Sequence, residues 1–294
     1  FVNNDKRLDY DKEFDRWYAY DGCDLGATCT PVRTVFKLWS PEAVRVELFL
    51  YQNDTDPAYD CRPLELTDRG VWTLTLDGDF HGTYYDYEVE AHGQSARTAD
   101  PYAAACGRNG LRSMAVDLSR TDPEGFQSDA PPPLPSENII YELHVKDFSH
   151  HPDSGVPEEC RGKFKAFVWR DEAGRPPFCM EHLRGLGVSH VQLLPIYDFG
   201  SVDEDGDAEQ FNWGYDPINY NVPEGSYSTD PSDGAVRIRE CKEMIQALHQ
   251  NDLRVVMDVV YNHTYAADSW LERSAPGYYY RRWADGTLSN GSGC

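Results

Sequence analysis

Alternating apolar and polar side chains dominate the first third of the chain. In residues 43–51, Ala-Val-Arg-Val-Glu-Leu-Phe-Leu-Tyr, an extended backbone puts Val44, Val46, Leu48 and Leu50 on one face and Arg45 and Glu47 on the other, the signature of a half-buried strand. Residues 71–76 repeat it with Trp72, Leu74 and Leu76, and residues 84–90 set Tyr85, Tyr87 and Val89 against Asp86, Glu88 and Glu90. Asp77-Gly78-Asp79 and His81-Gly82 supply the turns between them. Strands of this kind with little helical periodicity predict an all-β antiparallel sandwich over residues 33–124, after a lead segment, 1–32. A Pro-rich linker, 125–136, follows it and contains the stiff run Asp129-Ala-Pro-Pro-Pro-Leu-Pro135.

From residue 137 to 294 the rhythm changes to strand, helix, strand, helix, strand. Strands are predicted at 139–145, 190–195 and 253–260. Met180, Leu183 and Leu186 mark one helix, closed by Gly187, and Ile238, Cys241, Met244, Ile245 and Leu248 mark a second at spacings of three and four. Such alternation predicts a parallel α/β sheet, whose chemistry sits beyond the carboxyl ends of its strands. Those ends carry His144 and Asp147, then Tyr197 and Asp198, then Asp258, Asn262 and His263. A connection of about thirty-five residues separates the second strand from the second helix, far longer than the usual two to six. It holds Phe211-Asn-Trp-Gly-Tyr-Asp-Pro217, three aromatics and an acid around a glycine turn. Sugars stack on such rings and donate to such acids, although a packed hydrophobic turn has the same composition.

Composition narrows the partners. The 294 residues are 40% hydrophobic, as in folded globular proteins, and 27 basic against 50 acidic side chains give a net charge of −23. That field repels nucleic acid and anionic membrane surfaces, and no apolar run nears the roughly 20 residues a spanning helix needs. The eight cysteines form no CxxC pair, and Cys241 falls on an apolar helical stripe, which favours free thiols and a cytoplasmic over a secreted setting. Asp203-Glu-Asp-Gly-Asp207 lacks the spacing of a calcium loop and is expected to be a solvated acidic loop, and His150-His151 to be exposed loop histidines. Trp72 has two readings, stacking on a sugar or core packing beside Leu74 and Leu76. No metal or cofactor is assigned.

Two motifs together resemble one family. Phe211-Asn-Trp-Gly-Tyr-Asp-Pro217 is similar to the signature of type I pullulanases, and Asp258-Val-Val-Tyr-Asn-His263 to the first conserved region of the α-amylase superfamily, glycoside hydrolase family 13. Residues 141–149 and 276–281 share the resemblance, and Phe36-Lys-Leu-Trp-Ser-Pro41 and Asp100-Pro-Tyr102 resemble the edges of its carbohydrate-binding module, CBM48. The resemblance implies a sandwich module followed by the first part of a (β/α)8 TIM barrel, and retaining hydrolysis of α-1,6 glucosidic links in pullulan, starch or glycogen, which needs two carboxyls. In the family these follow the fourth and fifth barrel strands, with a stabilising Asp after the seventh. Both ends of the chain read as cut, the second soon after the third strand, so no catalytic residue is assigned and the chain alone is expected to be inactive. The same resemblance implies that Tyr215 stacks on the glucose at the cleaved bond, that His263 hydrogen-bonds it, that Asn262 and Asp216 support both, and that Asp258 orients the loop. Asn262 ligates calcium in some relatives, and that ion stays unassigned. Two alternatives remain: an isoamylase-like debranching or glucan branching enzyme, against which the residue 211–217 motif argues, and a stand-alone non-catalytic glucan-binding protein.

Overall fold

The computed structural model describes residues 12–176, 178–206 and 209–289. Asp207, Cys294 and the first eleven residues of the predicted lead segment lie outside them. A short helix, α1 (Lys12–Tyr18), buries Phe14 in a cluster with Trp39 and Val71. Nine strands follow: β1 (Gly26–Cys29), β2 (Arg33–Trp39), β3 (Ala43–Tyr51), β4 (Asp60–Pro63), β5 (Glu65–Leu66), β6 (Val71–Asp77), β7 (Tyr84–Ala91), β8 (Gln94–Thr98) and β9 (Ser113–Met114). They form two antiparallel sheets, ordered β1-β2-β6-β5 and β4-β3-β7-β8 with β9 also on β7. Strand β1, inside the predicted lead segment, is an edge strand paired with β2.

The sandwich core is built by the predicted alternation. Phe36 and Leu38 from β2, Val46, Leu48 and Leu50 from β3, Trp72 from β6, and Tyr85, Tyr87 and Val89 from β7 form one buried cluster. Each such side chain contributes roughly 1.5–3 kcal/mol on burial. Val44 departs from its predicted face and is 69% exposed. The pairing of β3 with β7 shifts between Ala43 and Arg45, so Val44 is the extra residue of a bulge and the alternation restarts after it.

Beyond the linker come β10 (Ile140–Leu143), α2 (Val145–His150), α3 (Phe178–Leu186), β11 (His190–Leu193), β12 (Tyr197–Phe199), β13 (Pro217–Pro223), α4 (Gly234–His249), β14 (Arg254–Met257) and α5 (Trp270–Ser274). Strands β10, β11 and β14 make a parallel sheet in that order, with Leu143, Leu193 and Met257 in one row. Leu143, Val191 and Leu193 pack against Met180 and Leu183 of α3 and Cys241, Met244 and Leu248 of α4. The Asp233 carboxylate caps α4 by accepting from the Ala235 and Val236 amides. These are the first strand and helix alternations of a barrel; among the described residues the sheet stays open.

The long predicted loop is not irregular. Its two ends pair as the antiparallel hairpin β12–β13. The two halves of the chain also touch: Ile238 of α4 is buried with Tyr51, Tyr84, Ala105, Met114 and Val116 of the sandwich. The linker lies against α4 and β14, with His249 on Asp129 at 2.6 Å and the Arg254 guanidinium donating to the Pro132 carbonyl, and just before it Lys242 of α4 holds Asp122 at 2.6 Å.

Candidate functional site

The site is assembled where β14 ends. The Asp258 amide donates to the Leu193 carbonyl at 3.1 Å, extending the parallel ladder by one residue and fixing the aspartate at the rim of the sheet. Its Oδ2 accepts from the Tyr215 hydroxyl at 2.8 Å. Partial burial and this bond push the phenol pKa up to about 12. His263 Nε2 donates to the Tyr215 carbonyl at 2.6 Å, which leaves Nδ1 as the acceptor for the Asn262 amide at 2.9 Å. The Tyr220 hydroxyl donates to the His263 carbonyl at 2.7 Å. Tyr215, Asp258, Asn262 and His263 thus form one hydrogen-bonded group, joined across two loops far apart in sequence. The Asn262 side chain that meets Nδ1 is exposed, so a hydroxyl can take its place there.

Asp216 has a different place. Its carboxylate accepts from Asn212 at 2.7 Å and from the Ser201 hydroxyl at 2.7 Å, so it shapes the loop and leaves Tyr215 to face Asp258. Asn212 completes the brace by accepting from the Gly214 amide at 2.7 Å. Gly214 has φ +89, and a Cβ there would lie 2.8 Å from the Pro195 carbonyl oxygen, so the turn between Trp213 and Tyr215 requires glycine. His144, at the end of β10, supports the loop from below with Nε2 2.8 Å from the Asn212 carbonyl and its ring against Phe211. Burial holds its pKa below the usual histidine range. Phe211, Trp213 and Tyr261 remain exposed, as suits rings that stack on a ligand.

A second group was not foreseen. Arg237, fully buried on α4, donates to Asp198 Oδ1 at 3.0 Å and Glu204 Oε2 at 2.6 Å, and Glu224 accepts from the Phe199 amide at 3.0 Å. Glu204 corrects the expectation of a uniformly solvated acidic loop, since its side chain is 2% exposed. The sequence did carry a signal: Arg237 stands at the same stripe position as Cys241, Met244 and Leu248, where a cation needs a buried partner. Oxygens of Asp198, Glu204 and Glu224 lie within 4.8 Å of one another, a spacing suited to a divalent ion. The guanidinium already stands among them as the cation, so the donor set does not fit a metal, and Asn262 is not part of it.

Trp72 is buried, 7% exposed, in the sandwich core, with its indole donating to the Ser40 carbonyl at 2.9 Å. Stacking on a glucan is closed to it. His150 and His151 lie apart from the site, His150 beside Glu209 at 3.2 Å and His151 exposed.

Comparison with known proteins follows the same division. Residues 24–103 match the carbohydrate-binding module 48 (isoamylase N-terminal domain) family, and residues 179–286 the α-amylase catalytic domain family. The pullulanase of Bacillus subtilis is 38% identical over 95% of this chain, and pullulanase 1, chloroplastic, of Arabidopsis thaliana is 36% identical over 94%. This chain spans 38% and 33% of their lengths. A crystal structure of the pullulanase from Paenibacillus barengoltzii in complex with maltohexaose and α-cyclodextrin superposes with a TM-score of 0.90 at 47% identity, over 97% of this chain and 45% of that one. With the sandwich, the parallel strands and both motifs in common, the chain is a CBM48 module joined to part of an α-amylase catalytic domain, and over the residues it spans it is similar to the pullulanases.

Proposed function

We propose that the protein is a debranching glycoside hydrolase that cleaves α-1,6 links of an α-glucan such as pullulan, starch or glycogen with retention, and that this chain supplies its glucan module and one wall of the subsite at the cleaved bond. The observation that carries the reading is the hydrogen-bonded group of Tyr215, Asp258 and His263 at the end of the third parallel strand. Tyr215 offers a ring for the apolar face of a glucose, and Asp258 fixes its tilt. His263, oriented by the Tyr215 carbonyl and Asn262, offers a hydrogen bond to a sugar hydroxyl that strengthens as charge develops at the anomeric carbon. Asp216 serves by bracing the loop. The two carboxyls of retaining chemistry belong to later barrel strands in the family, and none of the acids in this chain is given that role.

Support comes from the pullulanases to which the chain is similar, one of them crystallised with maltohexaose and α-cyclodextrin. The test is an assay of the full-length protein on pullulan and amylose side by side. Release of maltotriose from pullulan with little attack on amylose is the expected result, and hydrolysis of amylose alone would overturn the reading.

A further inference from the structure

The hairpin that presents Tyr215 has a weak backbone ladder. Strand β12 has three residues, and its pairing with β13 slips on both sides of Asp198. Main-chain bonds alone therefore leave the register loosely specified. The register is held instead by buried side chains. Arg237 donates to Asp198 Oδ1 on β12 at 3.0 Å, to the Pro223 carbonyl at the end of β13 at 3.4 Å, and to Glu204 inside the loop at 2.6 Å. Asn219 of β13 donates to Asp198 Oδ2 at 2.7 Å, and Glu224 accepts from the Phe199 amide.

The same group reaches into the CBM48 module. Arg237 Nη2 donates to the Gly107 carbonyl at 2.8 Å, and Asn219 to the Gly110 carbonyl at 3.0 Å. The Asn109 amide donates to Glu204 Oε2 at 2.6 Å, while the Glu204 amide donates to Asn109 Oδ1 at 2.9 Å. Arg108 bridges Asp54 of the module and Asp205 of the loop, both at 2.7 Å. At Gly110, φ is +65 and a Cβ would lie 2.2 Å from Asp198 Oδ2, so this close approach depends on glycine. Glu204 Oε1 is buried with no hydrogen-bond partner, so the group has no slack to absorb the loss of its cation.

We infer that Arg237 is a positioning residue: it locks the module's 107–110 turn to the base of the β12–β13 hairpin, so that docking of the module sets where Tyr215 stands. The value of that placement for glucan binding rests on the function proposed above; the link itself does not. The charged groups facing Arg237 are Asp198 from β12, Glu204 from the loop and Glu224 after β13, with the Cys106 thiol of the module 3.9 Å from Asp198. Replacing Arg237 by methionine leaves three carboxylates without a cation, a loss that eases as they take up protons.

Hydrogen exchange of the chain without any ligand tests this. In R237M, amides of residues 211–216 are expected to exchange about tenfold faster at pH 8, once intrinsic rates are divided out, while β3 and β7 keep their protection. Much of the difference should disappear at pH 5, and R237K should fall between. N109G, which keeps the positive φ of 56 and the backbone amide but removes the side chain, is expected to loosen the same residues from the module side. If R237M does not fold, N109G decides alone. Unchanged exchange at 211–216 in N109G, or a change in R237M confined to α4 or independent of pH, would overturn the inference. Because no glucan is present, its failure leaves the function reading untouched, and the reverse holds as well.

Discussion

At the scale of single residues, the motif and the contact agree where chemistry dictates both. Asp258 and His263 were legible as polar residues at the end of the third strand and Tyr215 as part of the residue 211–217 motif, their roles coming from the family resemblance, and the structure joins them through one phenol and one carbonyl. Asp216 was legible as part of the motif but not in its direction, since nothing in a linear sequence tells which way a loop carboxylate turns. Trp72 shows the same limit from the other side: period-two alternation placed it with Leu74 and Leu76, and only the opposing sheet decides that the face is closed. W72A is accordingly expected to lose about 3–5 kcal/mol of stability in urea unfolding, the range for truncating a buried aromatic. W72F, read by glucan affinity electrophoresis, should bind as the parent does. A folded W72F that had lost binding would restore the stacking role.

Elements were legible in proportion to the length of their periodic run. Helix α4 runs for sixteen residues and was legible from its stripe between Ile238 and Leu248, whereas its first turn and its Asp233 cap were not read. D233A is expected to cost about 1 kcal/mol, seen as a lower melting temperature with unchanged far-ultraviolet dichroism. The β12–β13 hairpin escaped because three residues cannot show a period and because its register rests on Arg237 and Glu224 rather than on alternation. Burial raises Glu224 to about 8 and Glu204 to about 7, above the 4.5 of an ordinary glutamate, with repulsion from neighbouring carboxylates adding to it at both. Acids raised in this way bind protons more tightly folded than unfolded. Their contribution to stability is complete below pH 4.5 and is lost as pH rises through 7 to 8. The melting temperature of the chain should therefore fall between about pH 5 and pH 8, and E224Q should flatten that slope. Equal slopes for parent and variant would show that the buried acids titrate elsewhere.

For the whole molecule, the change from period two to strand–helix alternation announced two units, and it did so without any motif. What the pattern could not show is how much they share: Ile238 completes a cluster of module residues, and the linker is tied to α4 and β14. The parallel sheet leaves Ile139, Ile140, Met257 and Val259 exposed. Open edges of parallel strands with apolar neighbours seek a partner. The chain expressed by itself is expected to elute from a sizing column as associated species, with residues 1–130 monomeric beside it. A monodisperse full chain would show that its surfaces are already satisfied.

The central claim is that Tyr215 and His263 grip the glucose at the bond that is cut, and steady-state kinetics of the full-length protein on pullulan reach it most directly. Replacing His263 by alanine should lower kcat/KM by about a hundredfold, mostly in kcat, as expected when a bond that strengthens in the transition state is lost. Tyr215→Ala should do comparable damage with a larger share in KM, while both variants melt within a few degrees of the parent. Turnover of pullulan by either variant at the parent's rate would contradict the account.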